Sequence, residues 1–265
     1  MRAWGVFGTA VAALWLSFVG SAVAIDVTAC EQVVAPNDVG ILQADLTCPV
    51  NGVFLERGAT LMLNGHELRG GTNIGVYCRR RRCTIEGPGT ISSPDWIGVL
   101  MEDRVHLTVR QVTFRGNDVG ILGTYSGRHR VTLSDVVFED NLQWALSART
   151  LVATNLIARN NAPGGFYAIT AASARIDGGD ISSNLAAVAL QGGRLRLDGV
   201  TVTGNTGMGV DATRSLRLAN GTATGNNAGG AGIDIRSASR PRLFTATCGR
   251  SSDESGVPWG VCAGD

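Results

Sequence analysis

The chain has 265 residues, 44% hydrophobic and 17% charged, too apolar for disorder and too poor in charge for a coiled coil. All 23 basic residues are arginine, and the 36 glycines, about twice the usual share, predict many tight turns and few long helices. The net charge is only +1, so any preference for an acidic partner must come from local placement.

The chain opens like an exported protein. Arg2 precedes an apolar stretch from Ala3 to Val19 and a small-residue exit, Ala22-Val23-Ala24. Residues 1–24 therefore read as a cleaved signal peptide, with a secreted or periplasmic product beginning at Ile25. A retained anchor is the competing reading, but the segment is short for a span, so no membrane span is expected after cleavage. All six cysteines, Cys30, Cys48, Cys78, Cys83, Cys248 and Cys262, follow the exit site, which predicts disulfides in an oxidising compartment. Six cysteines allow about fifteen connectivities. Nearest-neighbour pairing is the expectation, because it staples both ends of the chain and one inner loop. Zinc is the alternative use of cysteine, but there is no CxxC and only His66, His106 and His129 could assist. No metal or cofactor is expected.

An asparagine closely followed by a small apolar strand recurs at Asn117, Asn141, Asn160, Asn184, Asn205 and Asn226, a mean period of about 22 residues. Leucine-rich repeats share the period, but their leucine frame is missing. Eight positions before the asparagines stand Val109, Leu133, Val152, Ile176, Leu197 and Leu218; three before stand Phe114, Phe138, Ile157, Ile181, Val202 and Ala223. Two apolar columns of this kind arise when strands of successive coils pile into one core. The asparagines themselves read as a structural ladder at one turn of each coil. Ile74-Gly75-Val76 and Ile97-Gly98-Val99 carry the pattern toward the N-terminus. The predicted organisation is one domain: an N-terminal cap over 25–52, a solenoid over 53–243 and a C-terminal cap over 244–265, each cap holding two cysteines.

The coil pattern, with the segment Leu61-Met62-Leu63-Asn64-Gly65-His66, resembles secreted bacterial right-handed parallel β-helix repeat proteins of the pectin-lyase-like fold. The resemblance covers nearly all of the mature chain. It implies an all-β, single-stranded right-handed parallel β-helix of roughly eight to ten coils with disulfide-stapled caps. It implies little about chemistry, because that shape serves lyases, hydrolases and epimerases alike. The NTD, DD, GHG and RIK signatures of polygalacturonases, the WiDH-type pectate-lyase segment and the DPHE motif of alginate epimerases are all missing, so no catalytic set is carried over.

Function is therefore read from outward-facing columns, because side chains alternate in and out along a strand. Nine positions before the asparagines come Thr108, Thr132, Leu151, Arg175, Arg196 and Arg217, with Arg242 on the next coil. Neighbouring columns add Arg130, Arg149, Arg194 and Arg240 on one side and Asp177 and Asp198 on the other. Arginine's planar fork grips carboxylate or sulfate at two points, so Arg175, Arg194, Arg196, Arg217 and Arg242 are the candidate binding residues for an extended anionic polysaccharide. A solvated, self-paired surface is the plainer reading of the same residues.

After the asparagine, a second face is expected to run Leu100, Leu122, Leu146, Thr170, Ala189, Asp211 and Asp234. Asp211 and Asp234 on adjacent coils, with Arg236 two positions on, are the candidate catalytic residues, since two close carboxylates divide acid and base roles. The reading is thus a monomeric polysaccharide-binding protein, with a polysaccharide lyase, hydrolase or epimerase as the first alternative. A structural or adhesive surface protein docking through Leu100, Leu122 and Leu146 is the second. Nucleic acid is not an expected partner: the basic loop Arg79-Arg80-Arg81-Arg82 has only Tyr77 nearby for stacking, and reads as an accessory anionic contact.

Overall fold

The computed structural model describes residues 23–265 except 94, 124–126, 228 and 231. The expected signal peptide falls outside the described residues apart from Val23 and Ala24, and Ala24 opens the first strand, Ala24–Val27. Among the described residues there is no helix, and the named strands pair in parallel throughout. The chain winds into an all-β parallel solenoid of about nine turns. Within residues 25–52, expected as a cap, strands already stack in this register, Val39 against Thr60 and Leu46 against Leu68. At the other end Arg242–Phe244 still pairs with Arg217–Ala219, and Ser251 with Ile235.

The local pattern explains the coil. Along Val188–Thr203 the run Arg194-Leu195-Arg196-Leu197 alternates exposed and buried, so leucines fill the interior and arginines face solvent. Burial of the stacked columns is close to complete: Phe114, Phe138, Ile181, Val202 and Ala223 are all inaccessible. The rings of Phe114 and Phe138 lie 4.9 Å apart and 12° from parallel, about the spacing of paired strands.

Six successive coils, from residue 106 to residue 226, turn sharply at two stacked corners held by left-handed residues. One is Gln111, Asp135, Asn155, Gly178, Gly199 and Asn220; the other is Gly116, Asp140, Asn160, Ser183, Gly204 and Gly225. Glycine, asparagine and aspartate tolerate that conformation best, which is why the repeat is rich in them. Directly after the second corner comes the buried ladder: Asn117, Asn141, Asn161, Asn184, Asn205 and Asn226. Each Nδ2 donates to the Oδ1 of the next, at 2.7–3.0 Å. The expected rung at Asn160 is corrected to Asn161: Asn160 (φ 56°) is the exposed corner residue. The one-residue shift also moves Ala153 and Ala158 into the buried columns in place of Val152 and Ile157. Glycine beside the ladder is a packing requirement, since a Cβ on Gly98 would lie 2.6 Å from the Gly120 carbonyl and 2.8 Å from Asn117 Oδ1.

Disulfides Cys30–Cys48 and Cys248–Cys262 close the two ends. The third expected bridge is corrected: Cys78 and Cys83 are buried free thiols. Both point into the core, Cys78 in register with Leu55 and Met101, and Cys83 with Leu107, so they serve as small apolar side chains. Burial, helped by the contact with Cys83, pushes the Cys78 thiol well up.

Candidate functional site: an arginine groove

Strand register decides which exposed side chains meet. Arg175 is paired with Arg196, Arg196 with Arg217 and Arg217 with Arg242, so four arginines stand in one line. Beside them Ser173, Arg194 and Ser215 form the next line, reached after one inward residue per coil. Together with Arg240 these residues border an open groove of about 860 Å³ lined by six arginines. A floor of Ala174, Leu195 and Leu216 belongs to the core and fixes the arginine backbones in place.

Self-pairing accounts for only part of this charge. Arg175 binds Asp177 at 2.8 Å, and Arg217 lies over the Phe244 ring at 4.6 Å. Asp198, the other acid beside the groove, accepts from Asn220 instead. Among the described residues no carboxylate lies within ion-pair reach of Arg194, Arg196, Arg240 or Arg242. Like charges directly opposite in a sheet are destabilising, so this line works against the fold unless an anion neutralises it.

A second depression of about 560 Å³ continues the first through Ser173 and Arg194 and adds Arg149 and Arg214. Arg149 is not in the Arg194 line, where Thr150 stands, but borders this extension. Arg214 escaped the sequence reading because a bulge sets Thr213 and Arg214 opposite Gly193 alone, and a fixed period has no place for the extra residue.

The catalytic candidates are not brought together as expected. Asp211 is in register with Arg236, not Asp234, and its oxygens accept from Arg236 Nε at 3.1 Å and Nη2 at 2.7 Å. That bond, opposed by burial, holds the Arg236 guanidinium above its ordinary range. Asp234 turns inward at the end of the asparagine ladder, both oxygens engaged by Asn226 and the Arg250 amide. The outward column actually runs Phe54, Tyr77, Leu100, Leu122, Ser147, Thr170, Gln191, Asp211 and Arg236. Leu146 and Ala189 are core residues, which removes Leu146 from the expected docking patch.

His66 lies 3.4 Å from Asp45, His129 is buried, and His106 is exposed in register with Arg82 and Arg130. Among the described residues no three His, Cys, Asp or Glu side chains are grouped to hold a metal ion, and no helix is long and apolar enough to cross a membrane. A further ion cluster had no sequence signal. Buried Glu139 is clamped by Arg115 and Arg159 from the coils on either side.

No protein-family model and no curated protein matches the chain. Among solved structures, the A-module of mannuronan C-5 epimerase AlgE6 from Azotobacter vinelandii is similar over 82% of this chain and 77% of that one, with a TM-score of 0.45 and 12% identity. A likeness this distant assigns no residue and no activity.

Proposed function

We propose that the chain is an exported protein that binds an extended anionic polysaccharide along the arginine groove. The observation that carries the reading is the in-register line of Arg175, Arg196, Arg217 and Arg242, of which, among the described residues, only Arg175 has a carboxylate within ion-pair reach. Guanidinium forks repeated once per coil, about 4.8 Å apart, suit a ligand that repeats its carboxylate or sulfate along one axis. The net charge of the whole chain is only +1, so the attraction comes from where these arginines stand and not from a general excess of positive charge. Turnover is not part of the reading. Both oxygens of Asp211 and of Asp234 are already engaged inside the protein, which leaves neither as a ready acid or base.

The test is retention on immobilised polygalacturonate against amylose, with polymer length followed in parallel. Retention on the acidic resin that falls with added salt, is lost in Arg196→Ala/Arg217→Ala and leaves polymer length unchanged is the expected result. Equal retention of parent and variant overturns the binding surface, and shortened polymer overturns the absence of turnover.

A further inference from the structure

The arginine loop that the sequence sets apart, Arg79-Arg80-Arg81-Arg82, is not a separate feature. Strand register carries one outward line through Arg82, His106, Arg130, Thr150, Ser173, Arg194 and Ser215. The parallel line beside it runs Thr84, Thr108, Thr132, Val152, Arg175, Arg196, Arg217 and Arg242. The groove and the loop therefore lie on the same face, at opposite ends of one track.

Neither line contains a carboxylate, while the flanking line holds Glu86, Asp177 and Asp198. Acid is thus kept out of both lines, although at the loop end Asp103 stands beside them and pairs with Arg104 at 3.5 Å. At the loop end Arg81, Arg82, Arg104 and His106 border a depression of about 570 Å³ with Arg57. Between the two cationic ends the track presents Thr108, Thr132, Thr150 and Ser173, hydroxyls that can accept from and donate to a sugar chain without repelling it.

We infer that the two basic ends are halves of one binding site for a single polyanionic chain lying along the solenoid axis. This rests on the proposed groove and fixes the ligand's minimum length. From the Arg82 coil to the Arg242 coil there are seven steps of about 4.8 Å, about 34 Å in all. An extended pyranose chain advances by close to one strand spacing per sugar, so a ligand of about seven or eight sugars reaches both ends. Engaging the second end is then an intramolecular event, and affinity rises steeply at that length without any new kind of contact.

The experiment measures affinity by calorimetry at low salt for the full chain against two size-fractionated probes, oligogalacturonates and heparin fragments, from two to twelve sugars. Tetramers should bind in the groove, and chains of eight or more should bind at least about tenfold more tightly. The outward variant Arg82→Ser/Arg130→Ser should remove that gain for long chains, and unchanged thermal unfolding shows that it folds. Affinity that stops rising at the tetramer, or a gain that survives Arg82→Ser/Arg130→Ser, shows two independent patches: the inference fails while the groove stands. No binding of either probe at any length overturns the groove and the inference together.

Discussion

Asp234 stands where the next asparagine of the ladder would be, and accepts both the main-chain and the side-chain amide of Asn226 at 2.8 Å through one oxygen. Its other oxygen accepts the Arg250 amide at 3.0 Å. A carboxylate suits the last rung because it only accepts, whereas an asparagine passes a donor on to the coil beyond. The sequence presents Asp234 as a candidate acid or base; the fold uses it to stop a stack of hydrogen bonds.

Replacing it separates the two roles. Asp234→Ala leaves buried donors on Asn226 and Arg250 without acceptors and should lower stability by about 2–3 kcal/mol. Asp234→Asn keeps the bond to Asn226 but turns an amide toward the Arg250 N–H, and should cost about 1 kcal/mol. Chemical denaturation of the three proteins checks the order. Equal stability of Asp234→Ala and the parent would falsify the capping role.

Asn160 and Asn161 offer an internal control at adjacent positions. Asn161→Ala removes an acceptor from Asn141 and a donor to Asn184 within the ladder, and should cost about 2 kcal/mol or more. Asn160→Gly should be close to neutral, because the corner needs only a left-handed backbone that glycine supplies freely. The reverse order in thermal unfolding returns the ladder to Asn160.

These positions show what a repeat makes legible. Stacked columns are visible in sequence because every coil repeats the same demand: an apolar residue at Leu197 and Leu218, an asparagine at Asn205 and Asn226, an arginine at Arg196 and Arg217. One insertion defeats the count, as at the Asn160-Asn161 pair and the bulge carrying Arg214. A signal that places the rung was present: each ladder asparagine follows Gly, Asp, Asn or Ser, and Asn161 obeys this while Asn160 follows Arg159. Contacts between unlike residues on adjacent coils, such as Asp211 with Arg236 or Glu139 with its arginines, leave no periodic trace and need the register itself.

Cys78 and Cys83 should behave as core residues. Buried and unbridged, with the Cys78 thiol pushed up by loss of water, they should not react with an aromatic disulfide reagent in the native protein, and both should react after denaturation. Native reaction, or no free thiol after unfolding, contradicts this arrangement. Conversion of both to alanine should cost about 1–3 kcal/mol through lost packing.

Glu139 should make stability depend on acid. Its oxygens receive Arg159 Nη2 at 2.7 Å and Arg115 Nε at 2.5 Å, and although burial raises the carboxyl's pKa, these two arginines outweigh it and hold it below 4.5. A carboxyl whose folded value lies below its unfolded one stabilises fully at pH above the unfolded value and loses that contribution as pH falls through the folded one. Both arginines are more than half exposed, so they can return to water if the acid is removed. The cost of Glu139→Gln at pH 7 should therefore fall between a surface pair and a buried one, about 1–2 kcal/mol. Melting temperatures of parent and variant should differ most near neutrality and converge as the pH falls through the lowered folded value and the parent's carboxyl takes up its proton. A gap that stays constant from pH 7 to pH 3 would mean that Glu139 acts through packing alone.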